Sequence, residues 1–412
     1  MAEKKCNTLY LSYDGMTDSL GQSQVLPYLK GLSDEYSIHL ISFEKPERLE
    51  QHKETILQIC DAAGIIWHPL LYTKRPPVLS TIYDCRKLFR LTKKLDAQYH
   101  FKLVHCRSYI SALVGLSMKR KKGTKFLFDM RGFWADERVD GGLWNLKNPL
   151  YKSVYSFFKR KEKQFLSESD TIISLTSAGK KEILSWNLPA VDTEKITVIP
   201  CCVNTELFDQ NNVTNSQKEL LVERLGISQT DYILGYVGTI GTWYMLPEML
   251  DYFQILKQFK PHAKFLFVTA ENPETILSMA TKKKLQQDDF IIEKCLHKDV
   301  PTYISLFDHS VFFIRPTFSK KASSPTKQGE LMAMGIPIVG NSGVGDTQKV
   351  ILLYKSGEVV DIFDSLHYAK AIKAILRAEF DATKMRAGAV EFYGLSQGIQ
   401  NYSAIYQKLI NG

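Results

Sequence analysis

The sequence contains no run of eighteen apolar residues, whereas a membrane-crossing helix needs about 20. It has no low-complexity tract and no short fixed-period repeat, which sets aside disordered and fibrous chains. Cysteine is scarce, with seven in 412 residues, and none stands in a C-x-x-C or Cys/His metal spacing; Cys201 and Cys202 are adjacent. That excludes a disulfide-stapled scaffold and leaves buried thiols in a reducing cytoplasm as the expectation. Residues 1–7 lack an apolar core segment and a small-residue cleavage site, so no signal peptide is expected. No G-x-G-x-x-G fingerprint with an acidic residue about 20 positions on is present, which argues against a dehydrogenase.

What is present is a soluble composition, 44% hydrophobic and 24% charged. The length is too great for one ordinary core and fits two or three domains. The net charge of +9 is unevenly placed. Residues 1–200 carry 31 Lys+Arg against 22 Asp+Glu, and the remainder carries 22 of each. The excess concentrates between Arg86 and Lys163, with 20 basic and 6 acidic residues. A basic half beside a neutral half suggests two jobs, one of which meets an anionic ligand or surface.

Strand-like runs alternate with helix-length stretches. The first series reads 7–12, 37–43, 103–106, 125–129, 171–175 and 196–200, with helices over 47–63, 78–97 and 150–168 between them. The rhythm pauses at residues 200–204 and in the polar stretch 209–218. It resumes with strands at 233–237, 263–268, 290–293, 310–314 and 336–340. This is the pattern of βα units on parallel sheets with helices on both faces. Two doubly wound domains, 1–200 and 201–390, are expected to face a central cleft, because open α/β sheets bind ligands beyond the carboxyl ends of their strands. Residues 391–412 close the chain with an amphipathic helix whose stripe is Ile399, Tyr402, Ile405, Tyr406 and Ile410.

Six segments can carry chemistry. The loop after the first strand, 12–24, brings Gly21 to a helix start, where backbone N–H groups can approach phosphate oxygens. A plain glycine-containing βα turn is the alternative. Residues 319–337 place Ser323 or Ser324 as a helix cap, Pro325 in the first turn and Gly335 at the end. Thr326 and Lys327 add a hydroxyl and a cation to that helix start, and Glu330, further in, can accept both hydroxyls of a ribose. Residues 235–244 end a strand with Gly238 and Gly241 around Thr239, again an approach for an anion or nucleotide. The loop 128–142 mixes Arg131, Trp134, Asp136, Glu137 and Arg138, a combination suited to stacking on a polyhydroxylated ligand and binding its hydroxyls. Internal ion pairs explain the same loop equally well. His105 ends a strand as a possible base, and Arg107 beside it disfavours the imidazolium and suits a phosphate. Finally, 119–125 and 152–163 are rich in lysine and arginine, either a solvated face or a dock for anionic lipid.

In order and spacing these segments resemble the family 4 glycosyltransferases of the GT-B fold, over nearly the whole chain. The resemblance implies two Rossmann-like domains and transfer of a sugar from a nucleotide-sugar donor with retention. It implies a C-terminal helix crossing back to the first domain. It also implies that Gly21 lies against the donor diphosphate, that Glu330, the second glutamate of an E-x7-E motif, binds the ribose, and that Ser324, Thr326 and Lys327 serve the phosphates. His105 corresponds to the first histidine of an H-x-H segment whose second position is Arg107. The sequence departs from the pattern at Ala322, where the first glutamate of E-x7-E would stand; Lys320, Lys321 or Ser323 are candidates to compensate. The usual Arg and Lys after the first strand of the second domain are replaced by 238–243, which leaves Lys327 or Arg315 to meet the diphosphate.

The expected activity is transfer of a hexose-type sugar from a UDP- or GDP-linked donor to a glycan or lipid-linked acceptor in cell-surface polysaccharide synthesis, at the cytoplasmic face of a membrane. His105, Arg107 and Asp136 are the candidate catalytic residues. Gly21, Gly238, Thr239, Arg315, Ser323, Ser324, Thr326, Lys327 and Glu330 are the candidate donor contacts. Arg131, Trp134, Glu137 and Arg138 are the candidate acceptor contacts. No metal and no cofactor are implied, since no Asp-x-Asp motif stands in a suitable context, and no nucleic acid is expected as partner. A GT-B epimerase or phosphorylase, or a sugar- or nucleotide-binding protein with weakened turnover, are the alternatives.

Overall fold

Seven parallel strands build the first sheet: β1 (Cys6–Ser12), β2 (Tyr36–Glu44), β3 (Ile66–Leu71), β4 (Leu103–Arg107), β5 (Lys125–Asp129), β6 (Thr171–Ser174) and β7 (Ile196–Val198). Their spatial order is β3-β2-β1-β4-β5-β6-β7. Six more build the second: β8 (Tyr232–Val237), β9 (Ala263–Val268), β10 (Phe290–Glu293), β11 (His309–Val311), β12 (Ile338–Asn341) and β13 (Gly357–Val360), in the order β10-β9-β8-β11-β12-β13. Both orders reverse direction beside the first strand, between β1 and β4 and between β8 and β11. Those are the switch points where doubly wound sheets leave a crevice. The structure is a computed structural model and describes residues 5–412. The expectation of no signal peptide therefore falls partly on residues 1–4, outside the described residues.

The chain divides into two units, 1–200 with 395–412, and 201–394. In the first, β1, β4 and β5 are almost wholly buried, as strands covered by helices on both faces must be. The helix Leu395–Asn411 belongs to this unit and buries Tyr402, Ile405, Tyr406 and Leu409. In the second, Tyr236, Phe265, Phe267, Phe313 and Ile338 form the centre of one continuous core.

Four elements depart from the sequence reading, the first being β13, which follows the last expected strand. β3 was not expected, because Pro69 interrupts its apolar run; as an edge strand it tolerates a residue that cannot donate to a ladder. The polar stretch 209–218 holds the start of a helix, Asn215–Leu225, secured by a reciprocal cap between Thr214 and Gln217. The helix Ala382–Tyr393 stays in the second unit, so the chain passes to the first at 394/395 rather than at 391.

Candidate functional site

In the second unit, β8 ends at Val237 and the chain turns at Gly238 with φ +103°, a conformation that favours glycine. A Cβ there would stand 3.4 Å from the Nζ of Lys327. Lys327 reaches this point from the helix Thr326–Ala333. That helix lies close against its neighbours: a side chain on Gly329 would come within 2.8 Å of Tyr393 and Val203. The Lys327 ammonium is 7% exposed, sits 3.7 Å from the ring centre of Tyr244 and 3.9 Å from that of Tyr236, and has no hydrogen-bond partner. Burial pushes its pKa well below the ordinary lysine range, with Glu330 opposing the shift. An amine held between two aromatic faces without a hydrogen-bond acceptor is set to take up a proton and a partner when an anion arrives.

Glu330 lies one turn further along the same helix, its side chain 13% exposed. Nε2 of His297 is 3.7 Å from its Oε1, and the His297 ring packs 5.5 Å from Phe208. Trp243 and Tyr244 run beside the segment after β11. Arg315 N donates to the Trp243 carbonyl at 2.9 Å, and Tyr244 bridges Ile314. The Lys320 Nζ stacks 3.7 Å from the Trp243 ring. The unit thus gathers Gly238, Lys327 and Glu330 at one end of its sheet, with Thr239 and Arg315 exposed beside them.

The expected hydroxyl cap does not form. Pro325 occupies the cap position and offers no side-chain acceptor. Ser324 Oγ instead accepts from the backbone N–H of Cys201 at 3.2 Å, and Ser323 N donates to the Lys320 carbonyl. Serine before a proline simply found another donor. The N–H groups of Thr326 and Lys327 therefore stand at an uncapped helix start, where negative charge is favoured. Ala322 is buried in a 3₁₀ turn at Phe318–Ala322.

In the first unit, the expected catalytic residues are tied into the interior. His105 is 2% exposed; its Nδ1 pairs with the Tyr406 hydroxyl at 2.9 Å and its Nε2 lies 3.5 Å from Asp129. Burial lowers its pKa, more than Asp129 raises it. The ring contacts Tyr10 and Tyr402 as well, so it is a neutral interior group under the C-terminal helix rather than an open base. Asp129 accepts from Tyr402; burial would raise its pKa, but Arg131 foremost, with His105 and Arg107, turns the shift downward. Arg107 is 3% exposed and donates from Nε to Asp14 at 3.1 Å, while its Nη1 is buried without a partner.

Asp136 is also structural. It accepts from the Tyr155 hydroxyl and from Lys159 Nζ, both at 2.8 Å, which binds the short helix Trp134–Asp140 to the helix Pro149–Glu168. Lys159 continues this network to Glu162 and Tyr109. Trp134 is not an open platform: Tyr109 stacks on it at 5.6 Å and the Arg138 guanidinium covers it at 5.1 Å. Glu137 lies half-buried in the same helix, and Arg131, with φ +54°, approaches Asp129 at 3.9 Å.

Gly21 is required by its own loop, since a Cβ would come within 2.2 Å of the Gly15 carbonyl oxygen. That loop is held by Glu44, a buried carboxylate at the end of β2 that accepts from the N–H groups of Met16 and Thr17 and from the Thr17 hydroxyl. Nothing in the sequence of β2 marks its last residue, Glu44, as the anchor of a loop elsewhere in the chain. Tyr236 and Tyr244 stood inside a segment read for its glycines. His297 had no local signal at all.

The basic segments are partly neutralised. Lys119 pairs with Asp170, Arg120 with Glu168 at 2.7 Å and Lys122 with Asp96. Lys161 bonds Gln164, leaving Lys121, Lys152, Arg160 and Lys163 exposed. Among the described residues no helix is long and apolar enough to cross a membrane.

Comparison with known proteins places this geometry. Residues 25–207 match the model of glycosyltransferase family 4, and residues 217–391 match that of the group 1 glycosyl transferases. A D-inositol 3-phosphate glycosyltransferase from Catenulispora acidiphila is 21% identical over 337 residues, 77% of this chain and 75% of the relative. Sucrose-phosphate synthase from Thermosynechococcus elongatus has a similar structure, with a TM-score of 0.76 at 15% identity over 99% of this chain and 100% of that one. HepE from Anabaena in complex with UDP-glucose gives 0.70 at 13% identity over 98% and 99%. With both halves matched by glycosyltransferase models and two parallel sheets in the GT-B manner, the chain belongs to the family 4-like glycosyltransferases.

Proposed function

We infer that the protein transfers a hexose-type sugar, with retention of configuration, from a UDP- or GDP-linked donor to a glycan or lipid-linked acceptor, in cell-surface polysaccharide synthesis on the cytoplasmic side. The observation that carries the donor half is Lys327: a buried side-chain amine with no hydrogen-bond partner, beside a glycine turn and an uncapped helix start. A diphosphate seated there would receive the Lys327 charge and the N–H groups of Thr326 and Lys327. Glu330, one turn on, would accept the two ribose hydroxyls. The solved relative holding UDP-glucose supports the same ligand class.

In the reaction the bond from the sugar C1 to the diphosphate oxygen breaks and the acceptor oxygen bonds C1. The acceptor proton passes to the departing diphosphate. Charge that grows on the leaving oxygen is met by groups already in place, which is electrostatic preorganisation. Gly238 permits the close approach. Arg315 and Thr239, exposed at the same end, are the remaining donor contacts in this reading, and Arg131 and Arg138 the acceptor ones. No metal or cofactor has a part in it.

Calorimetry with UDP and GDP, followed by product analysis of nucleotide sugars with and without acceptor, tests the reading. Nucleotide binding and acceptor-dependent release of the nucleoside diphosphate support it. Release without an acceptor product points to an epimerase or phosphorylase. Binding without any turnover points to a binding protein, and absence of nucleotide binding ends the donor assignment.

A further inference from the structure

The helix Leu79–Tyr99 turns two different faces to its surroundings. Ser80, Asp84, Leu88, Thr92, Leu95 and Asp96 are buried against the first unit. On the opposite stripe Leu79 is 64% exposed, Tyr83 53%, Ile82 44% and Phe89 38%. Arg86, Arg90 and Lys93 are exposed on that same stripe, at helical spacing. The chain leading into it adds exposed Leu71, Lys74 and Arg75.

The charge on this face has one sign. From Leu71 to Leu95 there are seven Lys and Arg and a single acid, Asp84. Asp84 is 0% exposed and spends its carboxylate inward, on the Tyr13 hydroxyl, on Thr73 N–H and hydroxyl, and on Lys87. The segment is therefore aliphatic and aromatic at its centre, cationic along its length and without an exposed acid of its own. Scattered single apolar residues are ordinary on a surface, but a contiguous stripe flanked by cations marks an interaction site. A nucleic acid would reward the cations but not Leu79 and Ile82. A bilayer rewards both, taking the apolar stripe at the boundary of headgroups and acyl chains.

We propose that this helix face, from Leu79 to Lys93, docks the protein on an anionic phospholipid bilayer. The site differs from the lysine-rich segments 119–125 and 152–163, where internal ion pairs occupy part of the charge. It stands independently of the sugar-transfer reading, because none of its residues belongs to the donor or acceptor set.

The test uses the full chain and sedimentation with vesicles of phosphatidylcholine, with and without phosphatidylglycerol. Binding is expected only to the anionic vesicles and falls as salt rises. Each basic residue near such a surface contributes about fivefold to partitioning, so R86E/R90E is expected to weaken binding at least about tenfold. The uncharged pair I82Q/F89Q is expected to weaken it about tenfold as well, by removing apolar contact. The control K121E/R160E/K163E should stay within about twofold of wild type if those cations lie off the membrane. Circular dichroism and a melting temperature matching wild type show that all three variants are folded, a readout that needs no nucleotide and so keeps a failure here separate from a failure of the donor assignment. Wild-type protein that ignores anionic vesicles at low salt overturns the proposal. So does a control variant that loses as much binding as R86E/R90E, or an I82Q/F89Q protein that binds as wild type, the result expected of a purely electrostatic partner such as RNA.

Discussion

The Lys327 ammonium lies 3.7 Å from the centre of the Tyr244 ring, close to the Gly238 turn, without one hydrogen-bond acceptor. Aromatic faces return part of what burial removes, yet burial dominates and the pKa falls. Replacing this lysine by methionine keeps most of the volume and removes a buried amine that has no hydrogen-bond partner. The ligand-free K327M protein should therefore melt no lower than wild type, while its UDP affinity drops at least about tenfold, the loss of a charged hydrogen bond. Thermal denaturation and calorimetry on the same preparation check both halves. Because the native state holds fewer protons here than the unfolded chain, stability from this group is present above the ordinary 10.5 and lost as pH falls through the window below it. K327M should lose that trend, and saturating UDP should flatten it in the wild type.

Most strands were legible because fully covered parallel strands appear as short apolar runs, as in 7–12 and 263–268. β3 was not, since Pro69 is tolerable only at an edge, and edge position is a property of the whole sheet. That Gly238 and Lys327 come together in the second unit follows from two short segments, one at the end of β8 and one at the start of a helix. The first unit was harder. His105, Arg107 and Asp136 carry the right chemistry for a site, but whether a polar group faces a ligand or an interior partner depends on distant residues. Tyr406 lies 301 positions from His105, and no local spacing reports it.

His309 tests the interior of the second unit. Its two ring nitrogens pair with the hydroxyls of Tyr232 and Tyr252, each at 2.9 Å. Burial lowers its pKa from 6.5 to about 3. The unfolded chain takes up a proton on acidification and the folded chain does not, so stability is whole above pH 6.5 and drains away as pH falls toward 3. The loss is about 1.4 kcal/mol per pH unit, or about 2 kcal/mol by pH 5. Urea unfolding of wild type and H309Q at pH 7 and pH 5 measures it. The variant starts lower, because both tyrosines lose a partner, but its slope with pH should be shallower.

Asp136 separates structure from catalysis in the first unit. With Tyr155 and Lys159 both bonded to it, D136A strips the half-buried Tyr155 hydroxyl of its acceptor and leaves Lys159 with Glu162 alone. A cost of about 1–3 kcal/mol is expected. The midpoint of unfolding should fall clearly, while UDP affinity at low temperature stays at the wild-type value. A D136A protein as stable as wild type but inactive would restore the catalytic assignment that its hydrogen bonds argue against.

Glu330 distinguishes recognition of the nucleoside from recognition of the diphosphate. Its side chain is largely covered, and His297, more than half exposed, lies 3.7 Å from it. A carboxylate so placed can accept two vicinal hydroxyls, and its amide replacement gives up the charge that strengthens those bonds. E330Q should therefore bind UDP about tenfold more weakly or worse, yet bind inorganic pyrophosphate as the wild type does. K327M should weaken both ligands. Calorimetric titration of the two variants with UDP and with pyrophosphate reads the pattern directly. If E330Q weakens pyrophosphate as much as UDP, Glu330 acts by holding the helix or tuning Lys327, and the ribose must be bound by another group.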